Sequence, residues 1–463
     1  MSSRLTLNLG ARYDLFEAPS EKRNHITNFD PGTDTLIYAG VGGTSDTVNV
    51  QTPGKNVQPR IGFAYDPFGH GNTVIRGGYG ISYFPLMPSG SAFLGQNVPY
   101  TVSQNYNPPV YPLASQFASI PTIANPFGPP VSVQPMASAY LNAANPLIYS
   151  WAFQNQTPYM QSYNLDVQHQ FTANMLLEVA YAGSRGIHLQ EGFNINEVQP
   201  GPGSLSSRRL IQPLSNVSTI NYYFPGNMSN YNSLQVKVQK NFSHGLQFLA
   251  SYTYSKSLDY AGSSGSGGGA VGGPQTYTNR QAGYGPSGFD IAQRFVGNWV
   301  YLLPFGNHVT NAFVNRLVSV WEVDGIATVQ TGLPFSVSLN QGVNNGAPSW
   351  PDRVCSGTLP NPGPSLWYNP ACFVAPPAYT YGNVARGVLF GPGLTDFDVS
   401  FVKNTKIRER FNLQFRADSF NLLNTPAFSV SGINTSIGSP TAGRITSTSV
   451  DNREFQLVLK LTF

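Results

Sequence analysis

The chain closes on "REFQLVLKLTF" (453–463), and the reading of this stretch decides the fold. Successive side chains of a β-strand point to opposite faces. Phe455, Leu457, Leu459, Leu461 and Phe463 therefore share one face. Gln456, Lys460 and Thr462 share the other, where Val458 is the only apolar residue. A soluble domain ordinarily ends on a frayed, polar tail. A terminal strand with one wholly apolar face asks for surroundings that are themselves apolar.

The same period of two recurs along the whole chain. It marks strands over 4–14, 58–66, 73–84, 162–170, 175–183, 232–241, 245–257, 294–303, 320–330, 395–404, 410–419 and 453–463. In 232–241, for example, Leu234, Val236 and Val238 alternate with Gln235, Lys237 and Gln239. About twelve strands result, and this periodicity is the strongest local signal a sequence carries. Composition agrees. Charged residues make up 10% of the chain, against roughly 25% in ordinary soluble domains. The 25 Tyr and 29 Phe residues are many, and 47 Gly and 37 Pro signal abundant turns. Mean hydropathy is near zero. No apolar run approaches the ~20 residues of a membrane-spanning helix. The net charge is +4 with no basic run, which argues against a nucleic-acid partner.

The connections sort by length. Short ones are 67–72, 171–174, 242–244 and 405–409, with 304–319 somewhat longer. Long ones are 15–57, 85–161, 184–231, 258–293, 331–394 and 420–452, and they alternate with the short ones. A soluble sandwich has no reason for such sorting. A transmembrane barrel has one, because its short turns lie on the periplasmic side and its long loops outside. A ten-residue strand rises about 33 Å and, tilted by roughly 45°, crosses about 23 Å of membrane. Aromatic clusters near strand ends, such as "SYTYS" (251–255) and "NWVY" (298–301), suit interfacial girdles. The expected fold is all-β: a single antiparallel transmembrane β-barrel domain over 1–463 in a bacterial outer membrane.

Several long strings carry a family resemblance, among them "PRIGFAYDPFGHGNTVIRGGYGISY" (59–83), "YNSLQVKVQKNFSHGLQFLASYTYSKSLD" (231–259), "FNLQFRADSFNLLNTPAF" (411–428) and the closing strand. The chain resembles the barrel portion of TonB-dependent outer-membrane transporters, most closely the Oar-like group. The resemblance implies a twenty-two-stranded barrel, of which this chain would supply the C-terminal part. It also implies a signal peptide and a plug domain ahead of the barrel. The sequence begins within a strand and shows neither, so the natural N-terminus is expected to lie upstream. The implied partners are outer-membrane lipid, the TonB system acting through the plug, the barrel assembly machinery, which would read Phe463 as its signal, and an extracellular substrate. A siderophore, oligosaccharide, peptide or cobalamin would all serve. Two readings stand beside uptake: a surface or adhesion scaffold whose loops bind partners, and a passive channel with a closed twelve-stranded barrel.

No catalytic or cofactor constellation stands out. Ser400 and Lys403 in "SFVK" would face opposite ways on a strand. His25, His70, His169, His188, His244 and His308 lack metal-ligand spacing. The glycine run 261–273 lacks the Lys-Ser/Thr of a phosphate loop and reads as a mobile loop. Asp30 and Asp34 in "NFDPGTDT" (28–35) suit a turn in which Asp caps its own backbone; a calcium site is the alternative. Asp166, Lys237, Asp324, Asp398, Arg416 and Lys460 fall on the polar faces of strands, so they are the candidates to face a lumen. Cys355 and Cys372 share one Pro/Gly-rich stretch, either as a loop disulfide or as two free thiols.

Overall fold

The computed structural model describes residues 4–85, 93–101, 138, 141–142, 145–260, 274–305, 310–408 and 411–463. Twelve strands follow one another in an antiparallel meander, each paired with the next. They are β1 (Leu5–Tyr13), β2 (Val57–Tyr65), β3 (Thr73–Tyr83), β4 (Tyr159–Thr172), β5 (Met175–Asn194) and β6 (Ile220–Ser243). β7 (Leu246–Tyr260), β8 (Gln293–Leu302), β9 (Trp321–Gln330), β10 (Leu394–Arg408), β11 (Phe411–Phe420) and β12 (Glu454–Thr462) complete it. Among the described residues, β1 and β12 end the path, and neither has a strand on its outer side. The connections alternate short and long, as the sequence predicts. The glycine run 261–273 lies outside the described residues.

Register fixes which residues share a face. Leu459 of the closing strand lies opposite Phe415, and Leu457 opposite Ala417. Phe401 lies opposite Ala417 and Val323. The apolar set thus continues sideways from strand to strand, and it stays uncovered: Leu9 is 75% exposed, Leu457 73% and Phe463 91%. Large contiguous apolar surface marks an interface or a membrane face.

Apart from a few strand residues such as Ala327 and Val402, the buried hydrophobic residues among those described lie elsewhere. The three cores come largely from the long connections and from the strand ends beside them. One gathers Phe29, Leu36, Leu141, Ile148, Leu214 and Ile220. A second gathers Val48, Leu94 and Trp151. The third gathers Phe335, Tyr368, Phe373, Leu389 and Ile433. A soluble β protein buries its strands and exposes its loops; here the arrangement is reversed.

Close packing on the apolar face is marked by glycines set directly opposite aromatic rings. Tyr163 lies opposite Gly183, and Trp299 opposite Gly325. In both places the ring lies across the glycine, in the space a Cβ would need. Such pairing covers the backbone that a glycine would otherwise bare.

Three expectations need correction. β5 and β6 run 20 and 24 residues, so much of the expected loop 184–231 is strand. Register shifts between Gly186 and Glu191 break the alternation there and hide the extension. β10 runs on to Arg408 through an irregularity at Lys406/Arg408, taking up most of the expected turn 405–409. The connection 304–319 contains a short helix, Ala312–Val318, whose Asn311 side chain accepts from the amides of Phe313 and Val314.

Local turn chemistry follows the sequence. Asp30 accepts from the Gly32 amide at 2.8 Å and the Thr33 hydroxyl at 2.9 Å, which makes 28–35 a self-capped hairpin turn. At the short-turn end, Asp66 accepts from the amides of Phe68, Gly69 and Gly71. The hydrogen bond from Gly71, followed by those from Gly69 and Phe68, holds its carboxyl below the usual carboxylate range.

Candidate functional site: the polar face and the loop cap

The polar positions of the twelve strands form one continuous face. Asp166 lies opposite Arg76 across β3 and β4, 3.6 Å from its guanidinium. Lys237 lies opposite Glu178 across β5 and β6 and pairs with it at 2.6 Å. Asp324 lies opposite Ser400 across β9 and β10, and Ser400 lies opposite Asp418 on β11. Asp398 lies opposite Ile326 and accepts from the Asn421 amide at 2.9 Å. Arg416 donates to Asp418 at 2.6 Å and to the Ser400 hydroxyl at 3.2 Å. Lys460 lies opposite Gln414.

All six sequence candidates therefore project from one side of the sheet, in two groups of different character. From β3 to β6 the charges are paired. From β9 to β11, Glu322, Asp324, Asp396, Asp398 and Asp418 set five carboxylates on three adjacent strands, with Arg416 among them. Strands lie about 4.8 Å apart, so this stretch carries a concentrated negative field. The partners Arg76, Glu178 and Asp418 were not singled out from sequence, because cross-strand neighbours depend on register and a period of two does not fix it.

In "SFVK", Ser400 hydrogen-bonds Asp418 on the polar face. Lys403 lies opposite Trp321 on the apolar side and donates to the Ser319 carbonyl at 2.6 Å. Among the described residues, no group of three or more His, Cys, Asp and Glu side chains is placed to hold a metal ion. His308 lies outside the described residues.

The long connections at the other end are joined by buried polar side chains. Asn28 donates to the Trp151 carbonyl and accepts from the Trp151 amide, both at 2.8 Å. Asn97 makes the same double contact with Tyr149. Asn196 donates to the carbonyls of Leu214 and Val217 and accepts from the Ile211 amide. Tyr149 and Trp151 belong to a short strand that pairs in parallel with the start of β6. The asparagine amides bond further buried backbone groups, which meets the demand that buried peptide groups be paired.

Charged groups tie these connections to the strand ends. Arg386, wholly buried, pairs with Asp259 of β7 and donates to the carbonyls of Gly285 and Pro286. Lys256 of β7 pairs with Asp290 at 2.5 Å. Arg280 pairs with Glu191 of β5 at 3.0 Å and lies over the Phe224 ring. Cys355 and Cys372 are joined in a disulfide beside the third core. Nothing in the spacing of these residues announced the ion pairs.

An antiparallel meander of twelve strands, to whose sheet two short strands of the long connections add, with one uncovered apolar face, short turns at one end and a packed loop cap at the other is the architecture of a membrane β-barrel protein. The chain belongs to the outer membrane beta barrel domain family, which it matches over residues 1–456, and its place is the bacterial outer membrane. No curated protein matches it by sequence.

Among solved structures it is similar to the outer-membrane transporter YddB from Escherichia coli (11% identity, TM-score 0.46, covering 90% of this chain and 41% of that one). It is also similar to the FrpB iron transporter from Neisseria meningitidis (10%, 0.43, 99% and 43%). A third is the siderophore receptor PiuA from Acinetobacter baumannii (10%, 0.41, 99% and 41%). The chain spans about two-fifths of the length of each of these three.

Proposed function

We propose that the chain is the barrel portion of a TonB-dependent outer-membrane receptor that takes up an extracellular substrate. The observation that carries this reading is the continuous polar face, with paired charges from β3 to β6 and a carboxylate-rich stretch from β9 to β11. In a barrel this face lines the lumen, because charge toward lipid costs about 2–4 kcal/mol at midplane for Arg or Lys. Asp166, Lys237, Asp324, Asp398, Arg416 and Lys460 then meet a plug or a passing solute. The acidic stretch suits cationic groups on either. The family resemblance supplies the rest: a plug blocks the lumen, and TonB pulls on it. Substrate meets the long-loop end first. The barrel makes and breaks no bonds.

The folded cap favours one second reading, a surface scaffold whose loops bind a partner, since loops with their own cores present a fixed surface. Uptake and conductance separate the cases. Cells bearing only these residues should show no TonB-dependent accumulation of siderophore, oligosaccharide, peptide or cobalamin. Such accumulation would contradict the assignment of coupling to a plug. A steady single-channel conductance in planar bilayers would favour the passive channel instead.

A further inference from the structure

On the apolar face, at the short-turn end of β6 to β9, lies a groove of about 620 Å³. Its walls are Leu246, Trp299, Tyr301, Leu303 and Val323, and its rim carries Lys240, Ser243 and His244. Register places the walls on the apolar side: Leu246 lies opposite Tyr301, Tyr301 opposite Val323, and Trp299 opposite Gly325. Lys240 belongs to the same side, since it lies opposite Phe248 on one strand and Met175 on the other. A lysine on a lipid-facing side turns its ammonium toward the membrane boundary. Here the Lys240 ammonium reaches the turn and hydrogen-bonds the Ser243 hydroxyl.

The neighbouring connection extends the same surface. Leu303 donates its amide to the Trp321 carbonyl. The helix Ala312–Val318 before Trp321 holds Phe313, Val314 and Leu317 exposed, with Arg316 on its last turn. The Trp321 indole donates to the Leu317 carbonyl at 3.0 Å and so fixes the helix to the rim. Aromatic and basic residues above apolar walls form the pattern of a membrane interface.

We propose that this groove seats an anionic phospholipid. An acyl chain lies along Leu246, Trp299, Tyr301 and Val323, and the phosphate meets Lys240 at the short-turn rim, with the His244 ring beside it. The occupant is lipid because the groove is continuous with the membrane-facing side of the sheet, and anionic because a lysine stands at its mouth. This rests on the membrane placement of that face.

The test uses the full chain in nanodiscs of equal phosphatidylglycerol and phosphatidylethanolamine, released into mild detergent for native mass spectrometry. The wild type should retain phosphatidylglycerol over phosphatidylethanolamine by about fivefold, the effect of one basic residue near an anionic headgroup. Lys240→Gln should abolish that preference, while Lys55→Gln, in a distant exposed loop, should keep it. Equal retention of the two lipids by the wild type, or an undiminished preference in Lys240→Gln, would overturn the site. Heat-modifiable gel mobility is measured on the same samples. If it persists while the preference is absent, the groove proposal fails and the membrane fold stands; if it is lost in the wild type, the membrane fold itself fails.

Discussion

Tyr368 is 1% exposed in the third core, and its hydroxyl donates to the Asn434 carbonyl at 3.1 Å. Burial pushes its phenol up to about 12, from the ordinary value of about 10. The folded cap therefore holds the neutral form. Its contribution to stability is full below the unfolded value and is lost as pH rises through the folded one. The cap should loosen between about pH 10 and 12. Tyrosinate absorbance and protease sensitivity of 331–393 should report it together, and Tyr368→Phe should remove that step.

Arg386 is a second such residue. Truncation to Ala leaves Asp259 and two carbonyls without their partner. The expected loss of cap stability is about 3–5 kcal/mol, the usual cost of breaking a buried pair. It is measured by urea-dependent proteolysis, with the strand circular dichroism unchanged. Cys355→Ser removes a crosslink spanning 17 residues. It should weaken the same segment by about 3 kcal/mol. Little of this was legible in advance. The two cysteines in their Pro/Gly-rich stretch were visible, but a core built from separate loops depends on contacts far apart in the chain.

At the level of the element, alternation carried the reading where both faces of a strand were of one kind throughout. It stopped where a bulge shifted the register, as between Gly186 and Glu191. It also missed Ala312–Val318, seven residues of mostly apolar side chains, too short for a helical period to show. The six polar-face candidates were legible because each sits at an alternate position; their ion-pair partners were not.

The glycine–aromatic pairs give this level its test. In Gly325→Val the added side chain meets the Trp299 ring directly across the strands. Overpacking of this kind costs about 1–3 kcal/mol. The folded, heat-modifiable fraction should fall in refolding titrations, whereas Gly10→Val, where nothing stands within 4 Å of an added Cβ, should leave it near the wild-type level.

For the molecule as a whole, stability should grade across the sheet. The long central strands β5, β6 and β7 are paired on both sides, while β1 and β12 are paired on one. Edge hydrogen bonds open most readily. Amide exchange should accordingly be fastest in β1 and β12 and slowest in β5 to β7. Uniform protection would show that the outer strands have found partners.

The central claim is that the alternation seen in "REFQLVLKLTF" separates lipid from a polar interior. Spin labels placed singly at 455 through 462 in bilayers test it most directly, by comparing collision with dissolved oxygen and with a water-soluble nickel chelate. The account predicts oxygen access at 455, 457, 459 and 461 and nickel access at 456, 458, 460 and 462, alternating residue by residue. Equal access along the strand, or the opposite phase, would contradict it.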